Sequence, residues 1–113
     1  MTVYVVAQLK IHNRARYERY VTEFMPILAR FDGKLLAADE KPERVEGAWS
    51  GDKVVLLSFP DNEHFRSWVA SDDYRRIASE RQAATESVVL VLRGFDQSEF
   101  MGRSNGGSEF NPR

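Results

Sequence analysis

The sequence predicts an α+β fold in which four antiparallel strands and two helical regions follow one another in the order β-α-β-β-α-β. Two observations lead to this prediction. The spacing of apolar residues changes along the chain between the two-residue period of strands and the three- to four-residue period of helices, in that order. The last two predicted strands are also apolar at successive positions, which indicates a sheet that is covered on both faces. A chain of 113 residues with 42% hydrophobic residues has room for one such domain.

The first predicted strand and helix occupy residues 2–31. Residues 2–11 alternate, and one side of the strand carries the apolar residues Val3, Val5, Ala7, Leu9 and Ile11. Asn13 is a suitable N-cap for the helix that follows. The helix has one apolar stripe, formed by Tyr17, Tyr20, Val21, Phe24, Leu28 and Phe31. Because a proline inside a helix removes a backbone hydrogen bond and clashes with the preceding turn, Pro26 predicts a kink or a break within residues 22–26.

The remaining elements are set by turn residues and by short apolar runs. Asp32 and Gly33 end the first helix, and Lys34–Asp39 reads as the second strand. A polar connection then leads to the third strand, Lys53–Phe59, which Pro60 ends. Two helical pieces follow, because Ser71 is a second N-cap between Asn62–Ala70 and Asp72–Ala84. Residues 87–93 are rich in Val and Leu and form the predicted fourth strand. This order is the ferredoxin-like arrangement, with the helices on one face of the sheet.

The strand pattern further predicts a homodimer. In the third strand, Val54 and Leu56 lie on one face and Val55, Leu57 and Phe59 on the other, and the fourth strand is equally two-sided. If five to eight such side chains stayed in water, the fold would lose roughly 1.5–3 kcal/mol of burial free energy for each of them. A second copy placed sheet to sheet about a two-fold axis covers this face. The alternative is that the C-terminal tail, residues 96–113, folds back over this face. Its apolar residues are Phe100, Met101 and Phe110, and its composition is otherwise polar, so we divide the chain into a domain, 1–95, and a tail, 96–113.

Composition excludes several functions. Sixteen basic and seventeen acidic residues give a net charge of −1, so neither nucleic acid nor an anionic membrane is an expected partner. The chain has no cysteine, which rules out disulfides and thiolate chemistry. The sequence shows no metal-ligand cluster and no phosphate-binding glycine loop, so we expect no metal and no cofactor. Without an export signal or a long apolar run, the expected location is cytoplasmic.

Several segments together resemble a known family. They are Phe-Asp-Gly-Lys-Leu-Leu at 31–36, Arg-Val-Glu-Gly-Ala-Trp at 44–49, the Val-rich strand ending in Phe-Pro at 59–60, Trp68, Ser-Asp-Asp-Tyr at 71–74, and Arg81. Their joint spacing resembles the bacterial domain-of-unknown-function family "thirteen-thirty". The resemblance departs at Asp32, where the family usually has Gly, and at Asp72 and Asp73, where it has Pro-Glu. It implies a dimeric α+β barrel and no established reaction, so it assigns no catalytic residue. Related barrels of this type include cofactor-free monooxygenases and isomerases, an analogy of fold alone.

Arg81 is the most informative charged residue. The helical spacing places it on one face with Tyr74, Ile77 and Ala78, which directs it toward the core. There it could bind the carboxylate or phenolate of a ligand in a bidentate manner, or it could pair with Glu46 or Glu86 within the protein. The sequence leaves both roles open.

Six aromatic residues are candidates for lining a ligand pocket between helices and sheet: Tyr17, Tyr20, Phe24, Trp49, Trp68 and Tyr74. The alternative is that they form only the core. The predicted ligand-binding residues are Arg81, Tyr74, Trp49, Trp68 and Tyr20. For proton transfer, the candidates are His64, Tyr17 and Tyr20; a helix N-terminus should lower the pKa of His64 and favour a neutral ring.

These observations predict a small homodimer that binds a small apolar or aromatic ligand. One alternative is a cofactor-independent monooxygenase or isomerase that acts on a small acidic aromatic compound. The other is a structural dimer without a ligand. A cavity that holds an unpaired Arg81 would favour a binder or an enzyme over the structural dimer.

Overall fold

Residues 1–95 are described by the computed structural model, and they form one four-stranded sheet with three helices. In chain order the elements are β1 (Val3–Ile11), α1 (Arg14–Arg30), β2 (Lys34–Asp39), β3 (Lys53–Phe59), α2 (Asn62–Ala70), α3 (Asp72–Ala84) and β4 (Thr85–Arg93). The strand order is β2-β3-β1-β4, and every neighbouring pair is antiparallel. The ferredoxin-like α+β prediction is confirmed, as is the division of the second helical region into two pieces. The predicted tail, residues 96–113, lies outside the described residues.

The register of the strands defines two faces of the sheet. Val5 of β1 is level with Leu57 of β3 and Val91 of β4, and this set faces the helices. The next residue, Val6, is level with Leu56 and Leu90 on the opposite face, which we call the open face. The core lies between the helix-covered face and the helices, and it holds the largest fully buried side chains: Tyr17, Phe59, Leu9, Leu28, Ile77 and Val5.

Helix α1 runs through Pro26 without interruption. Of the predicted kink or break, the break is therefore wrong. Its physical reason is the apolar stripe beyond the proline, because Ile27 and Leu28 are both fully buried against the sheet. Their burial outweighs the single backbone hydrogen bond that Pro26 cannot donate. The start of the helix agrees with the prediction, since the Asn13 side chain accepts a hydrogen bond from the Arg16 amide at 3.1 Å.

The end of α1 is a Schellman motif. The Gly33 amide donates to the Leu28 carbonyl and the Asp32 amide to the Ala29 carbonyl, both at 3.1 Å. Asp32 takes the left-handed position with φ of 59°, a conformation that glycine adopts more easily. At Gly33 a Cβ atom would overlap Leu28 and Phe59, so the chain passes close to the core at this point.

Strand β4 lies at the edge of the sheet and is exposed on both faces. Val88, Leu90 and Leu92 belong to the open face, whereas Val89 and Val91 point to the helix side yet are also exposed. The strand begins two residues earlier than predicted, at Thr85. As expected, both faces of the sheet are apolar, and within residues 1–95 no element packs across the open face as the helices do across the other.

Candidate functional site

A cavity of about 110 Å³ lies between the helices and the sheet. Its floor is the helix-covered face of β1 and β3, including Val5 and Leu57. Its walls are aromatic side chains of the three helices: Tyr17, Tyr20, Phe24, Trp68 and Tyr74. The helical spacing that directs these rings inward also buries them, so the cavity is part of the core layer rather than a groove on the surface.

Arg81 of α3 reaches this cavity with 8% of its surface exposed. Its Nη1 donates to Ser87 Oγ at 2.9 Å, and its guanidinium carbon lies 5.9 Å from the centre of the Tyr20 ring. The predicted pairing with Glu46 or Glu86 is wrong, because no carboxylate of residues 1–95 lies within ion-pair distance of Arg81. Strand alternation explains the difference: Ser87 points toward the helices, so its neighbour Glu86 points to the open face. Glu46 lies in an exposed part of the connection between β2 and β3.

Lys53 is a second cation at the cavity that sequence reasoning missed. Its Nζ lies 4.9 Å from the centre of the Tyr17 ring, a cation–π arrangement. The signal was present in the alternation of β3, because Lys53 shares a face with Val55, Leu57 and Phe59. Lys53 and Ser87 flank Leu9 from opposite sides in the sheet register, so Lys53 and Arg81 approach the same end of the cavity.

The cavity favours anions. Among the described residues, its lining includes Arg81 and Lys53 and no Asp or Glu. The tyrosine hydroxyls add neutral hydrogen-bond donors: burial, followed by the proximity of the Tyr74 hydroxyl, raises the pKa of Tyr20 well above its ordinary value. Tyr20 therefore stays protonated at neutral pH and is suited to donating a proton or a hydrogen bond, not to accepting a proton.

Trp68 separates this cavity from a wider, more open one. The second cavity, of about 440 Å³, lies beside α2 and α3 and shares Trp68, Tyr74, Arg81 and Val89 with the first. The rings of Trp68 and Tyr74 are in close contact, with centres 3.9 Å apart and planes tilted by 36°. The Trp68 indole Nε1 is buried and has no hydrogen-bond partner within residues 1–95. Buried polar groups usually have one, so this N–H is an unsatisfied donor at the edge of the cavity.

Trp49 does not belong to this cavity, which corrects its predicted position. It lies in the connection between β2 and β3, and its Nε1 donates to Gln8 Oε1 at 3.4 Å. Gln8 alternates with Ala7 and Leu9 onto the open face, so Trp49 lies on that side of the sheet. Gly51 packs against the Trp49 ring, and a Cβ atom there would overlap it. Spacing alone could not place Trp49, because a long loop has no periodicity that assigns it to a face.

His64 is also outside the cavity, and its titration is opposite to the prediction. Its Nδ1 lies 2.7 Å from Asp61 Oδ1, the N-cap of α2, and its Nε2 lies 3.3 Å from Asp32 Oδ2. The hydrogen bond to Asp61 raises the pKa of His64, with smaller contributions from neighbouring carboxylates. Two carboxylates close to the ring thus outweigh the helix dipole that the sequence suggested, and His64 links α2 to the end of α1.

The arrangement can therefore hold a flat anion. Two cations converge at one end of an aromatic cavity, with the neutral donors Tyr20 and Trp68 close by. Of the predicted ligand-binding residues the structure brings together Arg81, Tyr74, Trp68 and Tyr20, with Tyr17 beside them. In residues 1–95 no group of three or more His, Asp or Glu side chains is positioned to hold a metal ion. Within the same range, no helix is both long and apolar enough to cross a membrane.

Comparison with known proteins gives one family and several similar structures. Residues 2–95 match the family described as domain of unknown function (DUF1330). A protein of unknown function from Rhodopseudomonas palustris has a similar structure, with a TM-score of 0.74, 18% identity, and coverage of 84% of this chain and 83% of that one. No curated protein matches the chain.

Two further similar structures belong to proteins with a named activity or a named oligomeric state. SnoaB, a cofactor-independent oxygenase from Streptomyces nogalater, has a TM-score of 0.63 and 18% identity, covering 84% of this chain and 94% of its own. A dimeric ferredoxin-like protein of unknown function from Jannaschia sp. CCS1 has a TM-score of 0.61 and 17% identity, covering 83% and 100%. Identities this low support a shared fold and no shared activity.

Proposed function

We propose that this chain, which belongs to the family of domains of unknown function DUF1330, is a homodimer that binds a small aromatic anion between its helices and its sheet. One observation carries the proposal: Arg81 is buried at an aromatic cavity and has no carboxylate partner in residues 1–95.

The cost of an unpaired charge supports an anionic ligand. A buried ion that loses its partner typically destabilises a protein by about 3–5 kcal/mol, so internal arginines are normally paired. Arg81 instead makes one hydrogen bond, to the neutral Ser87 hydroxyl, and leaves the rest of its five N–H donors for other acceptors. A ligand carboxylate or phenolate supplies the missing charge and accepts charge-assisted hydrogen bonds.

The shape and walls of the cavity support an aromatic ligand. Its volume of about 110 Å³ is on the order of the roughly 150 Å³ apolar cavity that accommodates a benzene ring. Its lining is mainly aliphatic and aromatic, with few polar groups, which is the usual composition of a small-molecule site. A purely structural dimer, by contrast, has no use for a buried cation without a partner.

The homodimer is supported by the open face of the sheet and by the similar structures. Both faces of β4 are apolar and exposed in the single chain. Ferredoxin-like structures with this fold are described as dimeric. A second copy packed sheet to sheet would cover the open face and leave the ligand cavity, on the helix side, within each subunit.

Mass spectrometry of small molecules released from the natively purified protein tests the ligand. We expect an aromatic acid to accompany the wild type and to be absent from Arg81→Met. Arg76→Met is the matched control, since Arg76 lies on the same helix but is exposed and outside the cavity; this variant should retain the compound. Equal recovery from all three proteins, or a neutral compound in place of an acid, would contradict the role of Arg81.

A cofactor-independent oxygenase is the second candidate, favoured by the similarity to SnoaB. Such an enzyme would need to remove a proton from its substrate and hold the resulting anion, and Arg81 is placed for the second task. The raised pKa of Tyr20 makes it unsuitable as the base, and Lys53, as a cation, has no acceptor for a proton. Of the predicted proton-transfer residues, Tyr17 also lines the cavity. Oxygen consumption with a series of phenolic acids separates the two candidates: turnover that is lost in Arg81→Met supports the oxygenase, and tight binding without turnover supports the binder.

A further inference from the structure

The polarity of the cavity changes along its length. At one end, Lys53 and Ser87 flank Leu9 of β1, and Arg81 donates to Ser87. Near the other end, Leu35 of β2 is level with Leu57, which is level with Val5 of β1. Leu9 and Val5 are four residues apart in a strand, a distance of about 13 Å. The cationic end is therefore separated from an apolar end by roughly the length of the cavity.

The residues of helix α1 that line the cavity change in polarity in the same direction. Tyr17 lies next to Lys53, at the cationic end, whereas the C-terminal part of the helix lies near Phe59 and Val3. Between these points, Val21 and Met25 line the cavity. From Tyr17 to Met25 the helix rises about 12 Å, in agreement with the distance along β1.

The apolar end is also the opening of the cavity. Val21, Met25 and Leu35 line it yet are 37%, 48% and 38% exposed, whereas Arg81, Tyr20, Tyr74 and Trp68 are all buried. Two other exposed residues of the lining, Ala38 and Val89, are level with Ala7, midway between Leu9 and Val5, and they are apolar as well. We call Val21, Met25 and Leu35 the mouth. A side chain that is both cavity-lining and exposed marks the passage between the cavity and the solvent, and here that passage is apolar.

We propose that the ligand is an aromatic monocarboxylate with an apolar substituent opposite the carboxylate, an inference that depends on the proposed function. The carboxylate lies between Arg81 and Lys53, the ring fills the aromatic cavity, and the substituent extends through the mouth. The reverse orientation would put the charge against three hydrophobic side chains and leave both cations without a partner. A cavity of about 110 Å³ holds little more than the ring, so a substituent has to extend outward rather than deeper.

Titration of benzoate, 4-ethylbenzoate and 4-butylbenzoate tests this orientation. In a Trp49→Phe background, the fluorescence of Trp68 reports binding, because Trp68 lines the cavity and Trp49 does not. Each methylene that becomes buried against the mouth should tighten binding by about fourfold. The matched series of 2-alkylbenzoates, in which the chain lies next to the carboxylate, should gain nothing or bind more weakly.

Two variants test whether the alkyl chain of the ligand lies at the mouth. Met25→Gln should reduce the gain in affinity per methylene, measured relative to the affinity of the same variant for benzoate. Val45→Gln is the control, because Val45 is 90% exposed in the loop between β2 and β3 and lies outside the cavity; it should keep the full gain.

The outcomes separate this inference from the proposed function. If none of the benzoates binds, both fail. If benzoate binds and requires Arg81, but affinity does not increase along the 4-alkyl series or the increase persists in Met25→Gln, the proposed function stands and the orientation is wrong.

Discussion

Replacing Leu90 by glutamate should separate the proposed dimer into monomers. Leu90 lies on the open face of β4 and is 50% exposed in the single chain. Full burial of a leucine is worth about 1.5–3 kcal/mol, so covering the exposed half contributes about 1 kcal/mol per subunit and about 2 kcal/mol per two-fold interface. Losing that burial alone weakens dimerisation about 30-fold. Two carboxylates placed in a dry interface add a desolvation penalty, so about 30-fold is the lower bound.

Sedimentation velocity over a range of concentrations measures this effect. The wild type should sediment as a dimer, twice the 13.0 kDa of one chain, and Leu90→Glu as a monomer. Val45→Glu introduces the same charge at an exposed loop position and should remain dimeric. A monomeric wild type, or equal dimerisation of Leu90→Glu and Val45→Glu, would refute the reasoning that the open face is the interface.

Three further predictions concern stability. Asp32→Gly relieves the left-handed strain at φ 59° but also removes the carboxylate beside His64 Nε2. In a His64→Gln background, where that ion pair is already absent, it should raise the free energy of unfolding by up to about 1 kcal/mol; a lower free energy of unfolding in urea would contradict it. Gly33→Ala should lower the free energy of unfolding by about 1–3 kcal/mol, since the added methyl group overlaps two core side chains. An unchanged midpoint of urea unfolding would argue against close packing at Gly33. The pKa of His64 is raised above its ordinary 6.5 in the folded state, so its contribution to stability is complete below pH 6.5 and disappears as the pH rises through the folded value. The stability difference between wild type and His64→Gln should therefore shrink with rising pH across that window, and a pH-independent difference would show that the link to Asp61 does not depend on the charge of His64.

Most of the fold follows from local sequence patterns. The boundary between α2 and α3 could be predicted because Ser71 caps α3 through a hydrogen bond from the Tyr74 amide, a device that requires only neighbouring residues. Pro26 does not break α1, because its local penalty is outweighed by packing against a distant strand. The helix end was predicted from Asp32 and Gly33, and the structure adds that Asp32 itself takes the left-handed position.

The site was only partly predictable. Helical spacing correctly placed Arg81 in the core with Tyr74, Ile77 and Ala78, because all four lie on one helix. Its partner could not be predicted from charge alone, since strand alternation turns Glu86 away and presents Ser87 instead. The position of Trp49 depends on a long loop, which no local pattern assigns to a face. For His64, the main partner Asp61 is only three residues away and caps the same helix, whereas the second carboxylate, Asp32, comes from the end of α1.

The contact between Arg81 and a ligand anion is the central claim, and calorimetric titration of benzoate and benzamide tests it most directly. The two ligands share a shape and differ in charge, and charged hydrogen bonds contribute about 1.5–3 kcal/mol. The wild type should prefer benzoate by at least about tenfold, and Arg81→Met should lose most of that preference while still binding benzamide. An equal preference in both proteins would contradict the account, because the charge of the ligand would then be recognised without Arg81.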